Sequence, residues 1–107
     1  MRTGVALFNR SMAEMVIGYL EVDLRVGQGR SLKHKRQIIN GLKKRIRNRF
    51  NVSVAEIDHH QLWQRAALGI CCVETSRTRS HRLLQQVVGF IETEGDSSII
   101  DYHIEML

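Results

Sequence analysis

The chain has 107 residues, a formal net charge of +5 and an isoelectric point near 9.8. One domain is expected at this length, able to bury roughly 65% of its unfolded surface and so to hold a core without a metal or disulfide staple. The basic balance favours an anionic partner, and the sequence has no apolar run long enough for a bilayer span or a signal-peptide core, so a cytoplasmic protein with no membrane role is predicted.

Residues 1–14 show no clean period and are read as a loose N-terminal extension ahead of a single domain over 15–107. From Val16 to Val26 the pattern alternates, with Leu20, Val22, Leu24 and Val26 on one side and Tyr19, Glu21, Asp23 and Arg25 on the other, which predicts a half-buried strand. Gly27-Gln28-Gly29-Arg30 breaks the strand, and Ser31 is the expected N-cap of a helix running to Phe50. That stretch contains no acid. With Arg30 it holds nine of the sixteen Lys and Arg residues, while Leu32, Ile39, Leu42, Ile46 and Phe50 recur at helical spacing. At about 100° per residue, Lys33, Arg36, Lys43, Lys44 and Arg47 gather into one basic ridge beside the apolar sector. Lys35 points into that sector, where it must snorkel or find a carboxylate. Gly41 is expected to allow close packing on the sheet.

A second strand is expected over Asn51–Ile57, followed by the polar Asp58-His59-His60-Gln61. Ala66 to Val73 is apolar on both alternating faces, the pattern of a central strand covered on both sides. Thr75–Arg82 offers several N-caps, after which Leu84, Val87, Val88 and Ile91 define a second amphipathic helix ended by Gly95. The last strand, Ser98–Met106, sets Ile100, Tyr102, Ile104 and Met106 against Asp101, His103 and Glu105. The order strand, helix, strand, strand, helix, strand predicts an α+β, ferredoxin-like βαββαβ fold: a four-stranded antiparallel sheet with both helices on one face. Glu21, Asp23, Asp101 and Glu105 would then share the helix-free face. A second copy of the chain is the simplest cover for the apolar outer side of the third strand, so a homodimer is expected.

Each chemical motif has a plainer counterpart. The ridge of Lys33, Arg36, Lys43, Lys44 and Arg47 can neutralise phosphates or simply solvate a helix face; an acid-free run of this length favours phosphate contact. Weaker anion sites fall at Arg30, after a short Gly-containing turn, and at Arg77 and Arg79, where the second helix begins; a tight turn and a mobile cap are their simpler readings. Base stacking on the sheet is disfavoured, because Tyr19 is the only aromatic on the two central strands and the same face is acidic. The five His and two Cys lack paired metal-ligand spacing; Cys71 and Cys72 suit core packing, and no Ser or Cys sits in a nucleophile elbow. No cofactor, metal, catalytic residue or small-molecule substrate is therefore expected. Trp63 is read as a hydrophobic lid at the sheet edge.

Three blocks in order, Ser31-Leu32-Lys33-His34-Lys35-Arg36, Phe50-Asn51-Val52-Ser53-Val54-Ala55-Glu56 and Leu62-Trp63-Gln64-Arg65-Ala66 with Leu68-Gly69, closely resemble the YlxP-like family of small bacterial proteins. The resemblance runs from about Met15 to Leu107 and departs at His34, where many members carry Glu, and at His59-His60. It implies a ferredoxin-like fold in a bacterial cytosol. Members are often encoded beside translation-initiation and ribosome-maturation genes, which implies work near RNA without assigning an activity. Two functions follow: a non-enzymatic protein that binds RNA or a ribosomal subunit through the basic helix, or a homo-oligomeric interaction module in which the ridge only solubilises.

Overall fold

The structure, a computed structural model, describes residues 15–27 and 30–107, so the extension over 1–14 and Gln28-Gly29 of the first turn lie outside it. The chain runs β1 (Val16–Val26), α1 (Leu32–Arg49), β2 (Ser53–Asp58), β3 (Arg65–Glu74), α2 (Arg77–Glu92) and β4 (Ser97–Met106). The strands order as β2-β3-β1-β4 and every neighbouring pair is antiparallel. This is the expected ferredoxin-like arrangement, with β1 and β3 at the centre. Each helix connects two strands that are not neighbours.

Alternation along β1 decides which face carries the helices. Leu20, Val22, Leu24 and Val26 are fully buried and meet Ile39, Leu42 and Ile46 of α1, Leu84, Val87, Val88 and Ile91 of α2, and Ala66, Leu68, Ile70 and Cys72 of β3. Each of the larger side chains contributes about 1.5–3 kcal/mol by leaving water. The Phe50 ring meets Phe90 edge-on at 5.8 Å between centroids, joining the end of α1 to the last turns of α2. Ser31 Oγ accepts from His34 N at 3.0 Å, so the N-cap read from the sequence forms.

Several local expectations change. α2 begins at Arg77, capped by Ser76, so Arg77–Arg82 are its first turns and not a mobile cap. The extension has a tertiary cause: Ser80 is fully buried and its Oγ shares a 3.2 Å hydrogen bond with Cys72 Sγ. The helix stops at Glu92 with Thr93 as C-cap, and Gly95 follows in the turn. In β4 the register shifts between the partners of Asp23 and Leu24, so Ile99 takes the inward place and Ile100 is left 44% exposed. β2 has a similar shift between Glu56 and Asp58. A Cβ at Gly41 would meet only the Arg45 guanidinium, 3.0 Å away, so this glycine makes room for Arg45 and not for the sheet. Close approach to the sheet belongs to Gly18, where a Cβ would stand 2.1 Å from Ser80 Oγ and 3.0 Å from Leu84 Cδ1.

Lys35 finds its carboxylate. Its ammonium is fully buried and donates to Glu56 Oε2 at 2.8 Å, His59 O at 3.1 Å and His60 O at 3.5 Å, which uses its three N–H donors. The pair ties α1 to β2 and to the loop after it.

Gly18→Ala should cost about 1–3 kcal/mol by overpacking, read as a lower urea midpoint with unchanged slope, and Ser80→Ala on top of it should recover part of the loss. Lys35→Ala should cost about 3 kcal/mol because it leaves the largely buried Glu56 carboxylate without its cation. Arg45→Ala breaks a pair whose Arg is 49% exposed and should cost no more than about 1 kcal/mol in the same titration.

Candidate nucleic-acid interface

With Lys35, Ile39, Leu42 and Ile46 fixed inward, the rest of the circumference of α1 faces solvent. Lys33, Arg36, Lys44 and Arg47 are exposed along it, and Lys43, at the edge of the apolar sector, is half-buried. From Lys33 to Arg47 the ridge spans about 21 Å. None of these five cations pairs with an acid among the described residues. The cations on the flanks of the helix do have internal work. Lys35 holds Glu56, Arg45 Nε donates to Glu94 Oε1 at 2.7 Å, and the Arg49 guanidinium lies 5.3 Å from the centroid of the Phe90 ring.

The weaker anion sites are all exposed, but the fold does not bring them together. Arg45 reaches Glu94 while Arg49, one turn further along α1, reaches Phe90, one turn back along α2, so the helices run antiparallel. Arg30 therefore sits at the end of the sandwich where β1 finishes, whereas Arg77 and Arg79 sit at the other end, after β3. Arg77, Thr78, His81 and Arg82 line a shallow depression of about 570 Å³ with Met106.

Glu21, Asp23, Asp101 and Glu105 do share the helix-free face, since Asp23 stands opposite Asp101 and Glu105 opposite Tyr19 in the ladder. Most of that charge is engaged locally. Asp23 Oδ2 accepts from Arg65 Nη2 at 2.6 Å, Glu21 accepts from the Tyr19 hydroxyl at 3.0 Å, and His103 lies 3.2 Å from Glu105. Arg65, which carried no assigned part in the sequence reading, is thus a cross-strand anchor. The apolar side of β3 is partly covered from within: a Cβ at Gly69 would meet Ile57 Cγ2 at 3.0 Å and the Tyr19 hydroxyl at 3.2 Å, and Ala67 is only 5% exposed. Val73 remains 65% exposed.

Burial pushes the Tyr19 phenol and the Cys71 thiol above their ordinary values, with the Glu21 carboxylate adding to the first and Cys72 to the second. A thiol held protonated is a poor nucleophile and metal ligand. No group of three or more His, Cys, Asp or Glu among the described residues is placed to hold a metal ion. No helix among them is long and apolar enough to cross a membrane.

The β2–β3 loop is what periodicity could not show. His59 adopts a left-handed conformation, φ 63°, and Trp63, expected as a lid at the sheet edge, is 53% exposed. The His59-His60 pair and the Asp-His start of the loop were the only sequence signals there, since short polar residues favour turns.

Residues 17–104 match the family described as Protein of unknown function (DUF503). The chain is 37% identical over 78 residues to Uncharacterized protein YlxP of Bacillus subtilis (strain 168), covering 73% of this chain and 85% of that protein. Among solved structures, the de novo designed protein Foldit4 aligns with a TM-score of 0.51 at 11% identity, over 88% of this chain and 97% of that one, a likeness of fold alone. The blocks around Ser31, Phe50 and Trp63 and a family match spanning β1 to β4 agree, and the chain belongs to the DUF503 family of YlxP-like proteins.

Proposed function

We propose that this protein is a non-enzymatic cytoplasmic binding protein that holds RNA, free or on a ribosomal subunit, by its phosphate backbone along the outer side of α1. The observation that carries this reading is the division of labour among the cations of α1. Lys35 and Arg45 have acids of their own molecule, whereas Lys33, Arg36, Lys43, Lys44 and Arg47 have none among the described residues. A helix without acids gains nothing from i to i+4 ion pairs and accepts repulsion between neighbouring cations instead. An external polyanion relieves that repulsion, and release of its condensed counterions drives the association.

A second reading, a homo-oligomer joined through the helix-free face, is supported by the exposure of Val73 and of Ile57, which is 43% exposed. It is the weaker of the two, because Tyr19, Ile57 and Arg65 already cover much of the centre of that face. Sedimentation over a range of protein concentrations without RNA tests it.

If all five ridge cations contact phosphates, the logarithm of the affinity for single-stranded RNA should fall against the logarithm of salt concentration with a slope of about 3.5. Arg36→Glu with Arg47→Glu should weaken binding and flatten that slope by roughly 1 to 2, measured by filter binding across a potassium chloride series. Affinity and slope equal to wild type in the double variant would remove α1 as the contact.

A further inference from the structure

Resting on that reading of α1, we infer that the β2–β3 loop is a base-stacking platform, with Trp63 its contact surface, and that the ligand is therefore single-stranded RNA. The loop is held in one shape by bonds on both sides of Trp63. Leu62 N donates to His59 O at 3.0 Å, and Gln64 O accepts from Val26 N at 2.9 Å. Upstream, Asp58 Oδ1 accepts from His59 N at 2.7 Å, His60 Nε2 lies 3.1 Å from Glu56 O, and the buried Lys35 ammonium grips both the His59 and His60 carbonyls. Downstream, Arg65 is locked to Asp23.

This anchoring does not bury the side chains it presents. Trp63 and Leu62 are 53% and 47% exposed. A bulky ring carried on an anchored backbone and left half in water adds little to the fold, but it meets a flat ligand with the ordering cost of its backbone already met. Trp and Tyr serve this way wherever bases are stacked without sequence preference.

The loop also stands at the correct end of the ridge. Lys35 lies between Lys33 and Arg36 in α1, so the group that grips the loop belongs to the first turns of the basic helix. Gln64 pairs with the last residue of β1, and the exposed Arg30 lies a short turn beyond it. A strand whose phosphates follow α1 toward its N-terminus thus runs toward the end of the fold that carries Arg30, Lys33 and the Trp63 loop. The loop's own acid, Asp58, is turned to the backbone N–H of His59. A duplex keeps its bases stacked on one another, so only an unpaired strand can offer a free face to the ring.

Trp63 is the only tryptophan in the chain, so its emission reports the site directly. The full chain is titrated at low salt with oligouridylate and with an RNA duplex, following tryptophan fluorescence and filter binding in parallel. Oligouridylate should quench the emission. Trp63→Ala should weaken oligouridylate binding about tenfold, leave the salt slope and duplex binding unchanged, and be largely rescued by Trp63→Phe. If oligouridylate binds with the salt slope of the ridge while emission and the Trp63→Ala affinity stay at their starting values, stacking is overturned and the backbone contact survives. If neither RNA binds at low salt, both readings fall. An emission shift that tracks protein concentration without RNA would instead make Trp63 a contact between copies, and would also overturn the assignment.

Discussion

The burial of the Lys35 ammonium governs how α1 sits on the sheet. An isolated charge could not persist there, so Glu56 and two loop carbonyls must converge on it, and their convergence fixes the rotation of the helix about its own axis. Apolar packing alone would tolerate a modest roll, because Ile39, Leu42 and Ile46 cover a broad sector. A directed pair does not tolerate it. The outward direction of the ridge and the shape of the β2–β3 loop are thus two consequences of one side chain.

Charge on this molecule is sorted by layer. On the helix side, cations near the packing boundary are absorbed by Glu56, Glu94 and the Phe90 ring, and those beyond it are left in water. On the sheet side, carboxylates are matched with Arg65, Tyr19 and His103. Because the Tyr19 hydroxyl leaves the Glu21 charge in place and Asp101 has no cation among the described residues, the field is positive over α1 and negative over the sheet. Such a field orients a polyanion before contact and turns it away from the acidic layer.

The architecture was legible in the residues because strong periodicity and one-sided burial coincide. Alternation in Val16–Val26, the two-sided apolar run before Val73 and the 3.6-residue stripe of α1 leave little choice of layer or order. The basic ridge was legible for the same reason, since a helical wheel follows from period alone. What escaped depended on contacts between distant residues. Ser80 drew α2 forward by two turns through Cys72, a bulge substituted Ile99 for Ile100, and Gly41 served Arg45 where a sheet contact was expected. Arg65 and Trp63 were visible as unusual residues, but a loop shaped by a buried lysine far away in sequence has no periodic signature.

The two register shifts carry a last consequence. β2 and β4 are the outer strands, and each is interrupted, between Glu56 and Asp58 and beside Asp101. An interrupted border twists away from flatness and presents its free amides out of step. Neighbouring molecules in a crowded solution find no straight template on which to lengthen the sheet, even with its apolar β3 close at hand.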